Sequence, residues 1–253
     1  MQRGDMMSSA ETEANDILAT LGVEDGTLAD DERAALDRDG YVVLDGVLDD
    51  GSVAEMRSAI DQLLETARRD PTKKHGGTLH LDDILDAGAM FDRAWSSPRV
   101  LAAVAHVLGA DFHVFAAGFR GPQPGYGAQA LHADDVPIGA SDPFRVATVI
   151  VPLVDFTERN GATRVVPGSH RDAVRGASTE PGRPHTRERI VTARAGAAIV
   201  FNGHLWHSGT KNMSDMRRDA LQIVFRRRGG RGAGLSVSNA TLDRLGTAGL
   251  LLL

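Results

Sequence analysis

Cysteine is absent from the 253 residues. No disulfide can staple the fold and no thiolate can hold a metal, so any metal must sit on histidine nitrogen and carboxylate oxygen. No apolar run approaches the ~20 residues that a membrane span needs; the closing GLLLL is far too short. The opening MQRGDMMSSAETEAND lacks the apolar core of a signal peptide, which makes a cytoplasmic protein the expectation. Lysine is scarce, 3 against 25 arginines, a bias of GC-rich bacterial genomes. The net charge of −6 removes electrostatic support for nucleic-acid binding, and the run Arg226-Arg227-Arg228 is too local to reverse that.

His-x-Asp, by contrast, occurs three times: His80 and Asp82 in LHLDD, His132 and Asp134 in LHADD, His170 and Asp172 in PGSHRD. Nine histidines and 25 aspartates in this length give roughly one such pair by chance, so context must choose among them.

Residues 1–10 read as a disordered tail and 11–253 as one domain. From Glu11 to about Gly109 the periodicity is mostly helical. TLADDERAALDRDG offers Thr27 or Asp30 as a cap and Gly40 as a stop, and YVVLDGVL follows as a short strand. Val53, Met56, Ile60, Leu63 and Leu64 then form one helical stripe. LHLDD runs from a short strand into a helix, with Asp82 or Asp83 at the cap. Ser97 and Pro98 open another helix. From Asp111 the texture becomes short apolar or alternating runs separated by Gly, Pro, Asn and Asp, the pattern of an antiparallel sandwich or barrel. The expected layout is mainly β: a helical part over about 11–109, a β core of about eight strands over 111–228, and a C-terminal segment, 229–253.

On an extended chain, residues i and i+2 point the same way; on a helix the same spacing splays them by roughly 200°. That disfavours LHLDD. His170 and Asp172 follow Pro167-Gly168 into a loop with no fixed common direction, where His170 would hydrogen-bond the loop. QALHADD leads through a loop into the longest expected strand, so His132 and Asp134 can project together from the inner lip of the core. A third ligand would complete the two-histidine, one-carboxylate face of non-haem Fe(II) oxygenases. His113, His170, His185, His204 and His207 are the candidates. In AAIVFNGHLWHSGTKN, alternation alone does not choose between His204 and His207. The turn SGTKNMSDM and the following RRDALQIVF place Arg217 or Arg218 across a hairpin from His207, and a buried arginine fork there would suit a dicarboxylate cosubstrate.

The chain resembles the phytanoyl-CoA dioxygenase family of Fe(II)/2-oxoglutarate oxygenases along most of its length. ERAALDRDGYVVLDGVLDD is similar to that family's opening helix and strand, and LHADD to its metal motif. ERNGATRVVPGSH is similar to its Asn-Gly…Pro-Gly-Ser-His segment, and FNGHLWHSGTKN to the segment of its distal histidine. The resemblance implies a double-stranded β-helix (jelly-roll) core flanked by helices. It also implies His132, Asp134 and His207 as Fe(II) ligands, with O2 and 2-oxoglutarate as cosubstrates. The family's anchoring arginine, eleven residues past the distal histidine, falls on Arg218, and Gln129 is placed to touch the cosubstrate. One departure stands out: the second carboxylate-binding residue, often serine, is here Gly209, between Ser208 and Thr210. Halogenating relatives lack the ligand carboxylate, so Asp134 implies hydroxylation or a related oxidation.

The partner expected is a small metabolite in bacterial biosynthesis, handled by a monomer or homodimer. Only 5% of residues are aromatic and no basic cluster marks a CoA pocket. Phe119, Asp135 and Val136 are candidate substrate contacts. Segments 70–78, 135–143 and 171–187 have the composition of lids. The same core also serves metal-dependent hydrolases, isomerases and non-catalytic binding proteins; a Zn hydrolase would use the same three ligands and have no need of Arg218.

Overall fold

The central strands after residue 111 are buried on both faces, one packed against helices and the other against a second apolar cluster and the site. The computed structural model describes residues 9–68, 77–136, 142–172, 180–229 and 234–252. Among them the strands in chain order are β1 (Tyr41–Leu44), β2 (Thr78–Asp82), β3 (Phe112–Pro122), β4 (Val146–Pro152), β5 (Thr163–Val165), β6 (Arg189–Ile190), β7 (Ala198–Asn202), β8 (His207–Gly209) and β9 (Ala220–Arg227). They form a six-stranded sheet of order β1-β7-β4-β9-β3-β2 and a three-stranded sheet of order β6-β5-β8. All pairings are antiparallel. This is the jelly-roll core. Two of its strands, β1 and β2, come from the mostly helical N-terminal part, one at each edge of the large sheet.

Val42 and Leu44 on β1, Ala147, Val149 and Val151 on β4, Ala198 and Val200 on β7, and Leu221, Ile223 and Phe225 on β9 share a buried cluster with the helices. Their alternate neighbours Tyr41, Val43, Ile150, Ile199, Phe201 and Ala220 face the other way and join Phe156, Val165, Val191 and Leu205. The register pairs Val149 with both Val200 and Ile223, so the two faces stay in step across the sheet. The helical layer comprises α1 (Ser9–Thr20), α2 (Asp30–Asp39), α3 (Asp50–Arg68), α4 (Arg93–Ser96) and α5 (Pro98–Leu108). Val53, Met56, Ile60 and Leu64 of α3 are buried and Leu63 partly so, as their spacing requires. A last helix, α6 (Asn239–Leu245), and a 3-10 turn (Gly246–Leu251) return to this side, where Ala248, Leu251 and Leu252 join the same cluster.

Several local expectations need revision. The tail over 1–10 lies outside the described residues up to position 8, and Ser9 and Ala10 begin α1. Neither Thr27 nor Asp30 caps α2: Ala29 is the cap residue, and its N–H donates to the Glu32 carboxylate at 2.9 Å. Thr27 instead accepts from the N–H of Glu24. Gly40 does end α2, in the left-handed conformation at φ 82°. Ser97 precedes Pro98 at the start of α5 but makes no side-chain cap bond. LHLDD is strand up to Asp82, which bonds Arg120 at 3.3 Å rather than capping anything. Asp83 occupies the cap position of the following 3-10 turn without a side-chain bond. The longest strand is β3, at 11 residues, not β4.

Candidate metal centre

A tight turn, not strand alternation, aims the distal histidine. After β7 the chain reverses through Gly203–Trp206, with Leu205 N–H donating to Asn202 O at 2.8 Å. The Asn202 side chain accepts from His204 N–H at 3.0 Å, and the Ser169 hydroxyl accepts from Trp206 N–H at 2.8 Å. The Pro-Gly-Ser-His segment thus braces this turn. His207 emerges facing inward over Phe201, ring centroids 4.5 Å apart. His204 is turned away, against Phe144 at 5.7 Å, and its Nε2 accepts from Arg145 N–H. The ambiguity between these two histidines ends there.

QALHADD does not form a regular strand. His132 makes an isolated antiparallel bridge to His207, exchanging N–H···O bonds of 3.0 and 2.8 Å in the two directions. Asp134 N–H then donates to Gly203 O at 2.7 Å. Both segments are therefore tied by backbone, and one ligand atom from each of His132, Asp134 and His207 lies within 4.8 Å of the others. Each imidazole Nδ1 bonds a carbonyl two residues back, Ala130 O and Leu205 O, at 2.9 Å in both cases. Donation from Nδ1 leaves both Nε2 lone pairs for the centre. These nitrogens stand 3.9 and 3.5 Å from Asp134 Oδ1. Burial holds His207 below the ordinary imidazole pKa against the pull of Asp134, which favours the neutral, ligating ring.

Asp134 Oδ2 accepts a 2.6 Å bond from the Thr148 hydroxyl on the inner face of β4. This residue was missed from the sequence. Its signal was a lone hydroxyl inside the apolar run VATVIVP. Thr148→Val keeps the shape but frees Oδ2 to rotate. Fe(II) affinity should fall by roughly tenfold, the lower end for an outer-shell partner, measured by metal titration of the apoprotein.

A cavity of about 440 Å³ opens beside the three ligands, and His132, His207, Gln129, Thr163, Ile150 and Arg218 line it. Arg218 is 7% exposed, its guanidinium stacks over Phe156 at 4.6 Å, and its Nε has no hydrogen-bond partner. Burial pushes it down to about 10, against a smaller opposing effect of Asp219. Asp219 is already held by Arg217, which also reaches Asp61 at 2.7 Å and stacks over Phe119 on the helix side. The two arginines thus have opposite tasks. Arg217 is paired on the outside; Arg218 is a buried cation that has no carboxylate partner among the described residues, the signature of an anion site. The route to it differs from the hairpin expected, because β8 and β9 belong to different sheets. Arg218 is fixed instead by its N–H to Pro122 O at 3.1 Å, next to β3.

The Gln129 amide oxygen accepts from Gly209 N–H at 3.0 Å, and the Gln129 N–H donates to Gly209 O at 3.0 Å. A Cβ at Gly209 would stand 2.7 Å from Gly127 O and 3.2 Å from Gln129 Oε1. The neighbouring chain fills the place of a serine side chain. Gly209→Ser should therefore weaken 2-oxoglutarate binding and lower stability by about 1–3 kcal/mol, checked by ligand titration and thermal unfolding.

Phe119 is not a substrate contact. Gly118 and Arg120 take the cavity side of β3, so Phe119 points into the helix-side core and is fully buried. Asp135 is committed to Arg145 at 2.9 Å, and Val136 is exposed at 48%; neither lines the cavity. Among the other histidines, His113 and His170 are buried with a ring nitrogen unpartnered. His170 packs against Gly40, where a Cβ would meet its Nδ1 at 2.4 Å, and its Nε2 accepts from Arg171 Nε–H of the same loop at 3.2 Å. His185 accepts from Arg187 N–H and stands edge-on to Trp206. Of the expected lids, residues 70–76, 137–141 and 173–179 lie outside the described residues.

Comparison with known proteins gives the family. The family model described as "Phytanoyl-CoA dioxygenase (PhyH)" matches residues 36–220. The chain belongs to the phytanoyl-CoA dioxygenase family. Family membership makes it an Fe(II)/2-oxoglutarate-dependent dioxygenase. Relatives include "Dioxygenase cdmA" of Talaromyces verruculosus, 27% identical over 83% of this chain and 77% of that one. "Ectoine dioxygenase" of Nocardia farcinica is 24% identical over 79% and 78% of the two chains. Among solved structures, HygX from Streptomyces hygroscopicus with nickel and 2-oxoglutarate bound superposes with a TM-score of 0.65 at 17% identity, covering 80% and 88% of the chains. The epimerase SnoN with Fe3+, alpha ketoglutarate and nogalamycin RO gives 0.62 at 23%, covering 83% and 84%. At these identities the two structures bear on the fold. Among the described residues, no helix is long and apolar enough to cross a membrane.

Proposed function

We propose that this enzyme oxidises an unactivated C–H bond of a small metabolite in secondary-metabolite biosynthesis, with hydroxylation as the outcome that a retained Asp134 favours. His132, Asp134 and His207 would hold Fe(II), and Arg218 and Gln129 would receive 2-oxoglutarate. One observation carries the reading. Two of the three grouped ligands, His132 and His207, and a buried arginine with no carboxylate partner among the described residues line the same cavity. A hydrolase on this fold has use for the first but not the second.

The donor set suits the group. Two neutral imidazoles and one carboxylate would hold a ferrous ion and leave it open positions for an oxo acid and O2. Bound iron and 2-oxoglutarate supply the oxidising chemistry: one O2 atom enters the substrate as hydroxyl, the other leaves in succinate, and CO2 is released. The chain's own residues do the remaining work. Backbone carbonyls at Ala130 and Leu205 hold the ring orientations, and Thr148 holds the carboxylate. Arg218 would neutralise a distal carboxylate, and its burial strengthens the charge-assisted fork. Ile150 and Phe201 give the inner sheet an apolar floor beneath the site.

Anaerobic addition of Fe(II) and 2-oxoglutarate should produce a weak visible charge-transfer band that neither component gives alone. A band-free mixture at saturating metal counts against the assignment. SnoN, a structural neighbour, is an epimerase, so epimerisation and cyclisation are the outcomes to look for if no hydroxylated product forms.

A further inference from the structure

We infer that Arg120, seated over Gly118 on the inner face of β3, is an anion subsite for the oxidised substrate, which therefore carries a carboxylate. This rests on the iron and 2-oxoglutarate reading above. The register places His80 of β2 and Ala220 of β9 directly opposite Arg120, and Gln222 opposite Gly118. All but Gly118 line the cavity of the metal centre, together with Tyr126. The wall across from the iron ligands is thus cationic and polar.

The guanidinium has a built seat. A Cβ at position 118 would stand 3.2 Å from Arg120 Nη1 and 2.7 Å from Leu81 O, so the glycine makes the room. Nη1 bonds Phe119 O at 3.0 Å and Asp82 Oδ1 at 3.3 Å. Among the described residues these bonds all leave Nη1, and Nε and Nη2 make none. Asp82 is a weak competitor, its carboxylate 75% exposed to water while the arginine is 34% exposed. Arg120 and Gln222 also border a second hollow of about 290 Å³ lined by Asp82, Asp83, Phe115, Ala116 and Leu235, so a ligand held by its carboxylate at Arg120 has space for an uncharged or cationic remainder. Burial and the arginine's own charge hold His80 below its ordinary pKa, leaving it a neutral hydrogen-bonding neighbour near pH 7.

The cosubstrate leaves this cation unused. A dicarboxylate has two ends, one for the metal and one for Arg218, which is fixed beside Pro122 at the next inward-facing position along β3. A second arginine on the same wall answers to a second anion. An Arg fork pairs with carboxylate more strongly than with a neutral amide of the same shape.

The test titrates the anaerobic Fe(II)–2-oxoglutarate complex by calorimetry with benzoate, cinnamate and hexanoate, and with the amide of each. At least one acid should bind about tenfold tighter than its amide in the wild type. The preference should shrink to about twofold or less in Arg120→Met and recover in part in Arg120→Lys, as a charge-assisted pair requires. The 2-oxoglutarate midpoint of the visible band should be unchanged in both variants. No acid preference in any pair overturns the subsite, as does a preference that survives Arg120→Met. A shifted 2-oxoglutarate midpoint would reassign Arg120 to the cosubstrate and overturn it too. Loss of the band in the wild type would bring down the oxygenase reading itself.

Discussion

Asp134→Ala should abolish the visible band of the anaerobic iron and 2-oxoglutarate complex and all substrate-dependent succinate release. Removing an outer partner of a metal ligand costs roughly 10–100-fold in affinity or activity. Removing the anionic ligand itself should exceed that range. Two neutral imidazoles would remain, one of them deeply buried, with nothing to offset the ion's charge. The alanine variant also strands the Thr148 hydroxyl, at a cost of about 1–3 kcal/mol, so a drop in thermal stability alone would be uninformative. Asp134→Asn keeps an oxygen for Thr148 and removes only the charge. A folded Asp134→Asn protein that still forms the band would show that the carboxylate is not a ligand.

Arg218→Met should move function and stability in opposite directions. In the free protein the guanidinium is a buried cation whose nearest acid, Asp219, serves Arg217. An uncompensated buried charge costs several kcal/mol, so a methionine of similar length should raise the melting temperature of the ligand-free protein. The wild type should recover on adding 2-oxoglutarate: at a hundred times its Kd a ligand stabilises by about 2.7 kcal/mol. The variant should show almost no ligand-induced gain, and its 2-oxoglutarate requirement should rise by roughly 30-fold or more, the 2–5 kcal/mol typical of a truncated buried charge pair. An unchanged requirement would put the cosubstrate elsewhere and leave the hydrolase reading standing.

The periodic parts of this chain could be read without coordinates; the places where periodicity fails could not. The change from helical periodicity to short apolar runs at Asp111 was legible, whereas the two faces of β4 and β7 were not, because both are buried. His132 and Asp134 stood out because i and i+2 converge on an extended chain. The third ligand stayed open between His204 and His207, since the turn at Gly203–Trp206 breaks the alternation the choice would have used. Arg218 was reached partly for a wrong reason. A hairpin from His207 was expected, yet the chain crosses from one sheet to the other between them. Phe119 was misassigned by one residue of phase, which on a strand exchanges core for cavity. Thr148 and Arg120 carry no motif; their parts depend on what the opposing strands place beside them.

The bridge between His132 and His207 has a further consequence. Because each ligand's own peptide group bonds the other's, the spacing of the two imidazoles is written into main-chain geometry that exists whether or not an ion arrives. Iron is then a guest in a finished receptacle, not the nucleus around which the polypeptide assembles. Its loss and return need not cross an unfolding barrier, so the protein can cycle between empty and charged forms at the pace of cation exchange alone.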